Sequence, residues 1–383
     1  TFAEIDPPRI VPYLHNPTHK LDWDRFSSDA LMDLLTGEIG IIKEISPSRP
    51  VTTNFMGMFK PLDYWRWAEH LDIVSDDSYP DPSDPLATAW AAMQRDLMRS
   101  LKRQPWLLME QSTSAVNWRP RNASKPVGMN RAQSWQSIAR GADAILYFQW
   151  RQSVAGSETF HSAMLPHAGE DTRVFREVTA LGAELAQYGW LAGATQTARV
   201  GIVIDWDSWW AVEQEPVPTK IDYARMVFDW HRTLTAATVL VDFVRPGSDL
   251  DGYEVLIVPS LFVTDDETSR WLDEWVQAGG RLVTTFLTGI LDRDMHVQEG
   301  GYLGKLRHTL GVRVEEFGAL SYPDQFGQAP RDEPPVALVG RHIGDLHLQH
   351  QEGLRAGIES PAAFLQLRRP GLCRNHGSAV GGP

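Results

Sequence analysis

Residues 105–117 read PWLLMEQSTSAVN. Four apolar residues, Trp106 to Met109, end on Glu110, and the chain then turns polar. A short apolar run bounded by turn residues is the pattern of a strand buried on both faces, as in a parallel sheet covered by helices. A carboxylate at the C-terminal end of such a strand stands where parallel α/β folds hold their chemistry. A helix N-cap or a surface turn also accounts for a lone glutamate, so the surrounding sequence has to decide.

Upstream, Pro50 to Met56 is β-branched and reads as a strand, Tyr64 to Leu71 as a short helix and Asp72 to Ser75 as a brief strand. Asp84-Pro85 reads as the cap and first-turn proline of a helix with Leu86, Trp90, Met93, Leu97 and Leu101 on one face. Downstream come a helix through Ala132, Trp135 and Ile138, a strand from Ala144 to Trp150, and a long helix from Val174 to Tyr188 stopped by Gly189. Four strands alternating with helices predict half of a (β/α)₈ barrel over residues 1–195. A second alternating block begins at Ala198: strands in ARVGIVID, TVLVDF, YEVLIVP and RLVTTF, with helices from Tyr223 to Leu234 and Thr268 to Ala278. It predicts a doubly wound α/β domain over 196–330, its regular elements ending near Phe317. Residues 331–383 form an aperiodic tail; from 341 on it holds five arginines against Asp345, Glu352 and Glu359, and it contains the only cysteine, Cys373.

Composition narrows the function. The 383 residues are 43% hydrophobic, enough for a sizeable core. A net charge of -13 argues against nucleic acid or an anionic membrane as the main partner. A single cysteine excludes a disulfide framework and fits a cytoplasmic setting. No apolar run is long enough for a membrane helix. Fifteen tryptophans raise the question of sugars, whose C–H faces stack on indoles, although indoles also fill cores.

Around Glu110 the residue types converge. Asn117 and Trp118 follow on its loop; FQWRQSVAGSETFH puts Trp150, Arg151, Glu158 and His161 at the next strand end; DDSYP puts Asp76, Asp77 and Tyr79 after the preceding one. Carboxylates, an arginine, a histidine and indoles at one end of a sheet compose a pocket for a neutral polyol. Ion pairs on a barrel rim would use the same residues. Glu158 and His161 also have E-x-x-H spacing, but a loop lacks the facing helices such a metal site needs, so neither metal nor cofactor is expected.

LLMEQSTSAVNW, YFQWRQSVAGSETFHSAMLPH and PPRIVPYLHNPTHKLDWDRFSSDAL resemble the glycoside hydrolase family 42 β-galactosidases. The resemblance covers about residues 1–330. It implies the C-terminal half of a TIM barrel, then a flavodoxin- or glutamine-amidotransferase-like trimerisation domain. It implies Glu110 as the nucleophile, with Trp118, Glu158, His161, Arg151 and Tyr79 binding the substrate, a galactoside. Arg151 or an amide donor is expected to keep Glu110 ionised. IDWDSWWAVE, with Trp206, Trp209 and Trp210, is expected to face a neighbouring subunit of a homotrimer. The family's acid/base glutamate follows an asparagine at strand four, and no Asn-Glu dipeptide occurs here. Strands one to four and the family's zinc-binding cysteines are accordingly expected to lie outside these residues, and the chain is expected to be inactive by itself, Glu110 being able at best to attack activated aryl galactosides, whose leaving groups need no protonation. β-D-Galactosides, β-D-fucosides and α-L-arabinopyranosides all remain compatible with the sequence. So does a non-catalytic oligomerisation or binding remnant. Amidotransferase chemistry is not expected, because TTFLTGILD offers no cysteine at the strand-to-helix turn.

Overall fold

The computed structural model describes residues 6–319 and the backbone of 337–339. A 29-residue helix, α1 (Pro17–Ile45), opens it, with Asn16 accepting from the His19 N–H as N-cap and a proline in its first turn. Four short parallel strands follow in the order β1 (Asn54–Phe55), β2 (Ser75–Asp77), β3 (Trp106–Glu110) and β4 (Ala142–Ile145). Helices α2 (Tyr64–Glu69), α3 (Ala87–Lys102) and α4 (Met129–Ile138) connect them, and α5 (Arg173–Leu185) follows. In α3 the apolar face packs as its spacing requires: Met93 and Leu97 are wholly buried and Leu86, Trp90 and Leu101 pack beside them. Trp106 and Leu108 of β3 are fully buried. This sequential, all-parallel αβ order is the half-barrel pattern, and it brings every strand's C-terminal end to one side.

The details differ from the sequence expectations at element ends. Asp84 does not cap α3: its Oδ1 accepts the Leu86 N–H at 2.8 Å in a turn, and the helix starts at Ala87. The strand expected from Ala144 to Trp150 is regular only over Ala142–Ile145; beyond it, Leu146 and Phe148 still bond through their backbone to Leu108 and Gln111. The chain does not stop at Gly189; a 3₁₀ segment, Ala186–Leu191, runs through it, irregular at Tyr188.

The second sheet has the order β6 (Val241–Val244), β5 (Val200–Val203), β7 (Val255–Val258), β8 (Arg281–Thr284) and β9 (Ala337–Val339). The first four strands are parallel and β9 joins antiparallel, so residues 337–339 extend the sheet beyond the expected end near Phe317. The helices are α6 (Trp206–Val212), α7 (Tyr223–Ala236), α8 (Asp266–Gln277) and α9 (Leu306–Leu310). Leu287, after β8, takes left-handed backbone (φ 57°) in the turn where a nucleophile would be needed, and it is a buried leucine. Cys373 and most of the tail lie outside the described residues.

The two sheets share one core. Trp206, Trp209 and Trp210 are buried inside this chain; the Trp210 indole donates to the Lys60 carbonyl at 2.7 Å and that of Trp206 to Phe59. The expectation that they face a neighbouring subunit is therefore corrected: three indoles need cover, and the half-barrel supplies it. Behind them α3 packs on α7 and β6 through buried charges. Asp96 accepts from His231 at 2.7 Å and pairs with Arg99 and Arg140, and Arg99 reaches Asp242 of β6 at 2.8 Å.

Candidate active site

Glu110 ends β3 at the open side of the first sheet. Its Oε2 accepts the Tyr79 hydroxyl at 2.6 Å, and its carbonyl accepts the Ser78 N–H at 2.9 Å. Burial, then the Glu110 bond and charge, push the Tyr79 hydroxyl's pKa up, so Tyr79 stays a proton donor to this carboxylate at any physiological pH. The register between β2 and β3 slips between Asp76 and Asp77, which sets Asp77 opposite Glu110. Such a slip re-aims side chains at a strand end. Asn54 of β1 donates to both Asp77 oxygens at 3.0 Å. Burial pushes the Asp77 carboxyl up to about 6; the Asn54 bond opposes this and the Glu110 charge adds to it.

Beside Glu110 stands an aromatic box around His161, which is itself fully buried. Trp118 stacks on the imidazole with centroids 5.1 Å apart, and Tyr79 and Phe148 meet it edge-on at 5.9 and 5.0 Å. His161 Nδ1 lies 2.9 Å from the Ser162 carbonyl, which can only accept, so Nδ1 carries the proton and Nε2 is the free acceptor. Nε2 is buried and has no protein partner, and the same holds for Oε2 of Glu158. Buried polar atoms are ordinarily hydrogen-bonded, which sets these two apart beside the half-exposed Trp118 indole.

The loops after β3 and β4 are tied together. Thr113 Oγ1 donates to the Ala163 carbonyl at 2.9 Å, Ser162 N–H to Ala115 at 2.9 Å, and Asn117 Nδ2 to Ser157 at 2.5 Å. Below, the buried Lys125 ammonium donates to the Ser112 carbonyl at 2.5 Å, and burial with Arg95 and Arg119 nearby pushes it down to about 7. Arg119 joins the Tyr79 carbonyl, holding the Tyr79 and Trp118 loops together.

The structure thus gathers Glu110, Tyr79, Trp118, Glu158 and His161. Arg151 stands apart: it is exposed, bridges Leu165 through its backbone, and makes no ion pair with Glu110. Tyr79, not Arg151, supplies the hydrogen bond to the carboxylate. Phe148, Asn54 and the pairing of Asp77 with Glu110 were not singled out from the sequence; Phe148 sits in the quoted YFQW and looked like strand core. Among the described residues, three potential metal ligands come together at Asp292, Asp294 and His296, on the loop after β8 and outside this box.

Comparisons with known proteins place the chain in a family. A sequence model of the β-galactosidase family matches residues 1–188, and one of the β-galactosidase trimerisation domain matches 198–330. The β-galactosidase bgaB of Geobacillus kaustophilus is 48% identical over 326 residues, covering 84% of this chain and 48% of the relative. A β-galactosidase of an Arthrobacter species is 43% identical over 324 residues, covering 84% and 47%. The crystal structure of the β-galactosidase from Rahnella sp. R3 superposes with a TM-score of 0.80 at 37% identity over 84% of this chain and 49% of that one. That of Bacillus circulans sp. alkalophilus gives 0.80 at 36% identity, over 84% and 49%. The chain spans about half the length of these relatives. On both sheets and on both sequence models, it belongs to glycoside hydrolase family 42.

Proposed function

We propose that this chain carries the nucleophile side of a retaining β-galactosidase site and assembles as a homotrimer. The observation that carries the reading is Glu110 at a strand end, hydrogen-bonded by Tyr79 and flanked by the unpartnered His161 Nε2 and Glu158 Oε2. Glu110 bonds to the anomeric carbon as the bond to the aglycone oxygen breaks and the aglycone leaves, giving a galactosyl-enzyme; water then bonds to the same carbon as the bond to Glu110 breaks, and galactose leaves with retained configuration. Tyr79 holds the attacking carboxylate in place. Glu158 Oε2 and His161 Nε2 accept from sugar hydroxyls, while the half-exposed indole of Trp118 stacks on the sugar's C–H face. Arg151 belongs at the outer rim of this site, beside Gln152, Leu165 and His167. The domain limits 1–195, 196–330 and 331–383 are part of the same proposal. Trimer formation is supported by the match of 198–330, and no helix among the described residues is long and apolar enough to cross a membrane. A cytoplasmic location rests on the single cysteine.

Dinitrophenyl β-D-galactoside tests the reading, because its leaving group needs no proton donor. Release of dinitrophenol and β-galactose by the 383-residue chain, absent in Glu110→Gln, is expected; lactose, which needs an acid, is expected to stay intact. Equal turnover by Glu110→Gln, or release of α-galactose, refutes the mechanism. Sedimentation of the chain as a monomer at micromolar concentration refutes the trimer.

A further inference from the structure

We propose that Asp77 is a further acidic group of this site, a positioning residue whose charge sets how strongly a cationic, oxocarbenium-like ligand is held beside Glu110. The inference rests on the reading of Glu110 as nucleophile and goes beyond it.

The geometry carries the argument. The one-residue slip between β2 and β3 skips Met109 and pairs Asp77 with Glu110, so the two acidic side chains leave neighbouring strands side by side. Without the slip, Asp77 would oppose Met109. Asn54 holds both Asp77 oxygens through its amide at 3.0 Å, which fixes the carboxyl without neutralising it. A structural aspartate at such a depth is ordinarily paired with a cation. Here none is supplied: among the described residues no lysine, arginine or histidine forms an ion pair with Asp77. Arg119 is engaged by Asp81 and the Tyr79 carbonyl, and the neighbouring Asp76 is the acid that Arg95 faces. The groups around Asp77 are Asn54 on β1, Tyr64 on α2, Asp76 and Tyr79 on its own segment, and Glu110 on β3. All of them are neutral or acidic.

A carboxyl kept half-buried, uncompensated and beside a second carboxyl changes its protonation near neutrality, in keeping with the rise to about 6. Sugar cleavage builds positive charge at the anomeric carbon and ring oxygen. An ionised Asp77 strengthens the field that meets this charge, and a protonated one does not. At a separation of several Å in a partly screened site, one unit charge is worth about tenfold in affinity for a cation.

The test is calorimetric binding of a galacto-configured piperidine iminosugar whose nitrogen is quaternised with two methyl groups, and so is cationic at every pH, to the 383-residue chain at about pH 5 and about pH 7.5. Wild type is expected to bind about tenfold tighter at the higher pH. Asp77→Asn, nearly isosteric, is expected to keep the weak low-pH affinity at both; a variant that still gains tenfold overturns the proposal. A ligand-free measurement separates this from the galactoside reading: the ¹³C titration of the Asp77 carboxyl. Its midpoint is expected near 6 and to move down in Glu110→Gln. A midpoint at the ordinary aspartate value, or one indifferent to Glu110→Gln, overturns the proposal. If wild type does not bind the iminosugar at all, the galactoside reading fails, and the titration alone decides for Asp77.

Discussion

Asp96→Asn tests how the two sheets are joined. Asp96 is wholly buried on α3 and answers three donors: Arg99 of the same helix, Arg140 after α4, and His231 of α7. Arg99 is shared with Asp242 of β6, so the group spans both sheets. Asparagine keeps the shape but removes the charge, leaving two guanidinium groups to one carboxylate in a dry junction. Breaking a buried pair by removing one partner costs about 3–5 kcal/mol. Arg140 keeps 16% of its side-chain surface in water and can relax outward, so the lower end, about 3 kcal/mol, is expected. That is a large part of the ~5–15 kcal/mol that holds a domain folded. Urea unfolding followed by tryptophan fluorescence and far-UV circular dichroism measures it. The exposed Arg131–Glu184 pair is the control, and Arg131→Gln should leave the urea midpoint almost unchanged. The pH dependence supplies a second reading. Burial pushes the Asp96 carboxyl up, but His231, Arg99 and Arg140 outweigh it and hold its pKa below the usual range. A folded value below the unfolded one gives stability that is present above about pH 4 and is lost as pH falls through the folded value. Asp96→Asn should lack that acid-side loss. A cost under about 1 kcal/mol would show that the network is incidental and that apolar packing alone joins the sheets.

Tyr79→Phe removes the 2.6 Å bond to Glu110 and should lower kcat/KM for dinitrophenyl galactoside about 10- to 100-fold with the fold unchanged; an unaffected rate would mean Tyr79 does not hold the nucleophile. Asp76 is pushed up to about 8 by burial, so its contribution to stability is full below about pH 4 and is lost as pH rises to about 8. The melting temperature should therefore fall further between about pH 4 and about pH 8 in wild type than in Asp76→Asn, and equal pH slopes for the two proteins would contradict the burial argument. Trp210→Ala should cost about 3–5 kcal/mol even in a monomer, since the indole packs and hydrogen-bonds within the chain; a loss seen only in the assembled form would restore a role between subunits.

Much of this molecule was legible because its buried strands are short apolar runs. WLLME, VLIV and RLVT announced themselves, and a carboxylate after the first of them pointed to the open end of a sheet. The same rule failed at AILYFQW. Those residues are as apolar as a strand, yet the regular strand ends at Ile145 and Phe148 is spent on the wall of the His161 box. Composition does not separate sheet core from aromatic lining. The tryptophans of α6 were expected at a neighbouring subunit on the family resemblance, and a helix of seven residues gives too little periodicity to show which core it joins. Asp77 was visible as a residue, but its pairing with Glu110 depends on a register slip, and a slip leaves no mark on hydrophobic periodicity. Arg151 looked like the natural partner of Glu110 on charge alone. The structure gives that place to a neutral hydroxyl, which orients a carboxylate without burying a second charge beside it.

The central claim is that Glu110 is the nucleophile, and covalent trapping tests it most directly. Dinitrophenyl 2-deoxy-2-fluoro-β-D-galactoside needs no acid to lose its leaving group, and its fluorine slows the release of the galactosyl-enzyme. After incubation with the 383-residue chain and proteolysis, mass spectrometry is predicted to find one fluorogalactosyl group on the peptide containing Glu110, attached at that side chain, and none on Glu110→Gln. A label on Asp77 or Glu158 instead, or a folded protein left unlabelled at Glu110, would contradict the account.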